Sequence, residues 1–176
     1  MSRDSRYLES ILHHDIPLTR EMGLRVLDWQ HDQLQLHLPL QANINHKSTM
    51  FGGSLYCGAV LAGWGWLHLK LREAGIEDGH IVIQEGQISY PLPVTQDATA
   101  ICAAPDEKIW KRFVATYQRY GRARLALAMR RRSAAPWRST TSVWPRSPGS
   151  RFRQRHRPTI IRPMTAACQP GSTGSA

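Results

Sequence analysis

Asn43-Ile-Asn-His-Lys-Ser-Thr-Met-Phe-Gly-Gly-Ser54 runs straight into the apolar stretch Leu55–Leu69, and the reading of this segment decides the fold. It is a polar loop closed by two glycines, followed by a helix that is apolar on nearly every side. A helix without a polar face must be wrapped by other structure. The helix is expected over about residues 54–74, with Gly75 as its C-cap. At 1.5 Å per residue it spans about 31 Å. Its internal glycines each cost about 1 kcal/mol against alanine, a cost that makes sense if a sheet packs tightly against them. The first turn leaves backbone N–H groups unpaired at the positive end of the helix dipole. Gly52 and Gly53 let a ligand come close to that backbone. The pattern therefore offers a site for a carbonyl oxygen or an anion.

The flanks supply what wraps the helix. Tyr7–His14 has helical spacing at Leu8, Ile11 and Leu12. Leu24–Leu40 reads as two strands around a turn at Gln30-His31-Asp32, with Leu34, Leu36, Leu38 and Leu40 alternating with more polar positions. His80–Tyr90 and Ala98–Ala104 read as further strands. Pro105-Asp-Glu opens a second helix that ends at Gly121, and Ala123–Met129 begins another strand. One central helix among antiparallel strands is an α+β domain in which the sheet curls around the helix.

Ile16-Pro-Leu-Thr19, Asn43-Ile-Asn-His46, Thr49-Met-Phe-Gly-Gly-Ser-Leu55, Leu61-Ala-Gly-Trp64 and Pro93-Val94 occur in the order of one family. Over roughly residues 7–128 the chain resembles the YiiD C-terminal-type thioesterase domain of the hot-dog superfamily. The resemblance implies a hot-dog fold and hydrolysis of an acyl-CoA or acyl-carrier-protein thioester. It also implies a homodimer or dimer of dimers, since such relatives pair their sheets edge to edge. A non-catalytic acyl-binding dimer is the alternative. The wider superfamily often places His-Gly-Gly at the loop–helix junction; here Phe51-Gly52-Gly53 stands there, which displaces the histidine to His46.

The candidate catalytic residues are Asn45, His46 and Glu85; the candidate substrate-binding residues are Asn43, Thr49, Phe51, Gly52, Gly53 and Ser54. Amides at Gly53 and Ser54 suit the thioester oxygen, an interaction typically worth about 3 kcal/mol in the transition state. A glycine pair also serves as a plain tight turn. His46 suits a general base or a donor to the thioester, or is a structural loop histidine. Asn45 orients a water or a neighbouring loop, and Asn43 either contacts substrate or only shapes the turn. Lys47 is either a phosphate contact or a solvated cation. Ser54 reads better as an N-cap than as a nucleophile, and Cys57 as a small core residue. No acid lies between Asp32 and Glu73. Glu85, among Ile81, Val82, Ile83 and Ile88, is the nearest substitute carboxylate; otherwise it is an ion pair or an exposed edge residue.

Composition divides the 176 residues in two. Residues 1–107 hold 7 Lys and Arg against 13 Asp and Glu; residues 108–176 hold 16 Lys and Arg and no acid, which gives the overall +10. An acid-free run of that length arises by chance on the order of once in 10^4. The last 48 residues contain 10 Arg, 6 Pro and 7 Ser, with no Leu or Lys. The division is therefore a domain at 1–128 and a basic tail at 129–176, expected to be disordered. A nucleic-acid partner is the less favoured reading of that tail; a shifted reading frame is the more favoured one. Residues 136–145, re-read from the third base of each codon, regain apolar and alanine positions suited to a strand. The fold's last strand is accordingly expected to be missing or replaced. Cys57, Cys102 and Cys168 have no metal or redox spacing, so neither metal nor cofactor is expected. The N-terminus lacks a signal-peptide core. The apolar run Met50–Leu67, broken by five glycines, falls short of the ~20 residues of a membrane span. A cytoplasmic protein off the membrane is expected.

Overall fold

The computed structural model describes residues 2–77, 79–133 and 160–170. In chain order these form α1 (Arg3–Asp15), α2 (Leu18–Glu21), β1 (Arg25–Gln30), β2 (Gln33–Leu38), a 3₁₀ turn (Gln41–Asn43) and α3 (Gly52–Glu73). Then follow β3 (Gly79–Gln87), β4 (Ala98–Ala103), α4 (Glu107–Tyr120), β5 (Ala123–Ser133) and β6 (Ile160–Pro170). The strands make one antiparallel sheet in the order β1-β2-β4-β5-β6-β3, with β1 and β3 at its edges. This is the expected α+β architecture.

The β1–β2 hairpin turns at His31 and Asp32, both with left-handed backbone (φ 49° and 54°), the geometry whose twist matches paired strands. Leu34, Leu36 and Leu38 of β2 face inward, as do Leu125, Leu127 and Met129 of β5, and all are buried. Against them lies α3, with Ala59, Leu61, Ala62, Trp66, Leu67, Leu69 and Leu71 inside. The glycines of α3 have the predicted cause. A Cβ on Gly58 would stand 2.6 Å from Leu38 Cδ2, and one on Gly65 would stand 2.9 Å from Leu34 Cδ2. The sheet approaches the helix too closely for a side chain at either place.

α1 closes one side of the core through Leu8 and Leu12, both fully buried. α4 closes the end of the barrel-like wrap. Asp106 caps it by accepting from Lys108 N–H at 2.8 Å, and Gly121 (φ 65°) ends it. The opening residues Pro105 and Asp106 therefore precede the helix rather than form its first turn. Trp110 of α4 meets Trp66 of α3 edge-on, with ring centroids 5.7 Å apart.

The strands reach beyond residue 128. β5 does not stop near residue 128 but runs to Ser133, pairing Met129–Ser133 with Cys102–Ala98. The place beside it is filled by β6, which pairs with β5 on one side and β3 on the other. Tail composition averaged over 48 residues hid the apolar run Ile160, Ile161, Met164, Ala166, Ala167 and Cys168. Pro163 cannot donate to a ladder, and both ladders shift register around it, opposite Leu127/Met129 and Glu85/Gln87. Residues 134–159 and 171–176 lie outside the described residues, and so does the expectation of disorder for them.

Candidate active site at the α3 N-terminus

The loop ahead of α3 is held by its own asparagines. Asn43 is buried, and its Nδ2 donates to the carbonyls of Met22 and Pro39, both at 2.8 Å. Its backbone carbonyl accepts from Phe51 N–H at 2.7 Å, tying the loop's start to the helix entrance. Asn43 Oδ1 is buried with no partner among the described residues. Asn45 Oδ1 accepts from the N–H groups of Lys47 (2.8 Å) and Thr49 (3.3 Å), while its Nδ2 donates to Thr49 Oγ1 at 3.0 Å. The backbone closes the same loop, Asn45 N–H to Thr49 carbonyl at 2.8 Å, with Ser48 left-handed at φ 57°. Both asparagine side chains are thus spent on shape, a use that self-bonding turn residues suit. Thr49 shares that work.

His46 lies at the tip of the loop, exposed, with no ring partner among the described residues. Met50 N–H donates to the Val94 carbonyl at 2.7 Å, which fixes the loop against the segment after β3.

α3 begins at Gly52 rather than Ser54. Phe51 takes the N-cap position with extended backbone and supplies no side-chain cap, so the reading of Ser54 as N-cap is corrected. The glycine pair joins the helix with the Phe51 ring against Gly53 and Tyr90 against Gly52. Among the described residues, the amides of Gly52, Gly53 and Ser54 have no acceptor. They point out of the helix at its positive end. Phe51 is 57% exposed, and its ring lies over Gly53, 2.3 Å from where a Cβ would sit. Tyr90 closes the other side: its hydroxyl donates to the Gly52 carbonyl at 2.8 Å. Burial, and then the neighbouring Tyr56, pushes the Tyr90 pKa up, so the hydroxyl keeps its proton at neutral pH.

One residue beyond these amides, at Leu55 and beneath Tyr90, opens a narrow apolar cleft. Leu55 and Ala59 of α3 form one wall; Leu38, Ala98 and Ala100 of the sheet form another. Ile88, Leu92 and Val94 cover it, and Arg130 and Arg131 at the end of β5 complete the lining. Clefts of this apolar character with a few polar groups are typical of small-molecule sites.

Glu85 does not join this group. It is exposed on the edge strand β3, and its Oε1 accepts from Gln87 Nε2 at 3.3 Å, while Gly86 takes the inward position beneath Tyr56. The register shifts on both sides of Glu85 turn it outward. Cys57 is half-buried, and burial pushes its thiol pKa up, away from thiolate character. No group of three metal-ligating side chains exists among the described residues. No helix there is long and apolar enough to cross a membrane.

Tyr90 and Arg131 escaped the sequence reading as site residues. Both lie far from the loop in sequence, and only Pro93-Val94 had marked the region of Tyr90.

The chain resembles known proteins over most of its length. The profile of the family described as "Putative thioesterase (yiiD_Cterm)" matches residues 5–136. A protein of unknown function from Chlorobaculum tepidum has a crystal structure 32% identical in sequence, with a TM-score of 0.78 over 95% of this chain and 94% of that one. A structure titled as the putative thioesterase from Shewanella oneidensis is 23% identical, with a TM-score of 0.73 over 97% and 99% of the two chains. Thioesterase HI1161 from Haemophilus influenzae shares the fold at 10% identity and a TM-score of 0.65, over 100% and 97%. With three quarters of its length matched to the family profile and its sheet wrapped around α3 as in these thioesterases, the chain belongs to the YiiD C-terminal thioesterase family and has the hot-dog fold.

Proposed function

We propose that the protein hydrolyses an acyl thioester carried on coenzyme A or an acyl carrier protein. The observation that carries this reading is the uncapped start of α3, whose free amides at Gly52–Ser54 adjoin an apolar cleft. In this mechanism the thioester carbonyl oxygen lies against the Gly53 and Ser54 amides, and the acyl chain lies along Leu55, Ala59 and Ala100. Negative charge that develops on that oxygen meets donors already in place. His46 takes the proton of the attacking water, and the thiolate leaves toward solvent. Asn43, Asn45 and Thr49 hold the loop that presents His46. Phe51 and Tyr90 shield the reacting bond on either side. Glu85 stands on the open β3 edge, where a second copy would pair in a homodimer, and it enters the chemistry only across that pairing.

A panel of acyl-CoA and acyl-carrier thioesters with free-thiol detection tests the proposal. Thiol release is expected, and His46→Ala should lower kcat on the order of 10²-fold or more at unchanged oligomeric size. Acyl-CoA binding without any release would replace this reading with the non-catalytic acyl-binding dimer. That second reading draws on one observation: no carboxylate lines the cleft, and α3 carries none before Glu73.

We further infer a shifted reading frame beyond the family match, which moves its earliest position from about residue 128 to beyond residue 136. The acid-free composition of the remaining residues supports this inference. Resequencing that finds the frame intact would refute it.

A further inference from the structure

Among the described residues, two cations line the cleft, Arg130, which is exposed, and Arg131, which is half-buried. Leu125, Leu127 and Met129 of β5 are buried on the side facing α3. The two-residue period of a strand puts Arg131 on that same side. There it lines the apolar cleft with Leu55 and Ala59 and is half-buried. No ion pair or hydrogen bond to Arg131 exists among the described residues. No carboxylate side chain follows Glu107 anywhere in the sequence, so the segments after β5 contain none to offer. Burial presses the Arg131 pKa downward, yet a guanidinium keeps its proton. A half-buried cation without a counter-charge carries a desolvation cost that an anion in the cleft would offset. The free amides of α3 add positive potential to the same cleft.

We propose that Arg131 is a specificity-determining residue that pairs with an anionic group of the thioester substrate. Two sources share that chemistry, a carboxylate on the acyl portion and the phosphate of the pantetheine arm. The substrate class rests on the thioesterase reading above.

The test uses the full chain, with Arg131→Gln and Arg131→Lys variants, and reads binding by calorimetry. The ligands are non-hydrolysable thioethers: S-hexyl-CoA, S-(5-carboxypentyl)-CoA, and the matching pair on N-acetylcysteamine, which has no phosphate. Arg131→Gln is expected to weaken the anionic ligands on the order of 10- to 100-fold, the range of a charge-assisted hydrogen bond. Arg131→Lys should fall between. Loss confined to the carboxylated ligands on both carriers assigns the acyl carboxylate. Loss confined to the CoA ligands assigns the phosphate. Equal binding of all four ligands to the wild type and a folded Arg131→Gln overturns the proposal. So does an equal loss that includes neutral S-hexyl-N-acetylcysteamine, or a wild type that binds none of the four. Wild-type preference for each anionic ligand over its neutral counterpart needs no variant, so a variant that fails to fold does not block the test. Binding of thioethers requires no turnover, so failed hydrolysis would defeat the function above and leave Arg131 separately judged.

Discussion

The two ends of α3 are held on opposite terms. At the C-terminal end Trp66 Nε1 donates to the Asp32 carbonyl at 2.8 Å, and Trp110 meets the Trp66 ring edge-on. Lys70 bridges Asp32 and Glu73 at 2.8 and 2.7 Å, and Glu73 also accepts from Trp29 Nε1 at 3.1 Å. At the N-terminal end, among the described residues, no side chain caps the helix, Phe51 stands exposed, and the first amides have no acceptor. One end joins α3 to the hairpin and to α4; the other is left unsatisfied beside a cleft. A helix can keep unpaired amides at one terminus because its stability comes from packing elsewhere along its length. The comparison teaches where function can be placed at low cost: at the end the core does not need.

The largest effect should come from the clamped end. Trp66→Ala removes a fully buried side chain and should cost about 3–5 kcal/mol in urea denaturation. That is a large share of the ~5–15 kcal/mol typical of a domain. A loss below about 1 kcal/mol would mean that the clamp is dispensable and that the contrast between the ends is false.

At the open end the effect should fall on turnover instead. Gly53→Ala drives a Cβ into the Phe51 ring, 2.3 Å away, and that exposed ring can swing aside. Stability should change by less than about 1 kcal/mol. Thioesterase kcat should fall on the order of 10- to 100-fold as the displaced ring and the new methyl crowd the amides. Unchanged kinetics in this variant would remove Gly53 from the site.

The smallest effect is a pH dependence in the C-terminal half of the helix. His68 lies stacked on Trp64, with ring centroids 4.9 Å apart, and Tyr7 is on its other flank. Burial first, and Arg72 second, hold its pKa below the ordinary 6.5. The unfolded chain therefore binds a proton more readily than the folded one. Stability from this group is fully present above 6.5 and is lost as pH falls through the folded value. His68→Gln should flatten the stability profile as pH falls below 6.5. An identical slope in both proteins would place the titrating group elsewhere.

Much of the fold was legible because periodicity is local. The leucine alternation of β2, the all-round apolar α3 and the amphipathic α4 each state their environment within a dozen residues. Element ends were read less well. α3 starts two residues early because a glycine pair can be a turn or a helix start, and only packing chooses between them. β6 was hidden because its apolar residues are interrupted by Arg162 and Pro163 and lie in an arginine- and proline-rich tail. A strand of that kind is recognised by its neighbours β3 and β5 rather than by its own pattern.

The sequence by itself determined that a polar loop and two glycines precede a helix that must be enclosed, and which strands enclose it. Those are consequences of hydrophobic burial and backbone freedom, both carried by neighbouring residues. Tertiary structure alone decided which loop side chains are spent on shape and which are left free. Asn43 and Asn45 are consumed by carbonyls and amides brought to them by the fold, whereas His46 is not. It alone placed Glu85 outside and Arg131 within the cleft: the register shifts around Glu85 break the inward alternation of β3, whereas burial at Leu125, Leu127 and Met129 keeps the two-residue period of β5 up to Arg131.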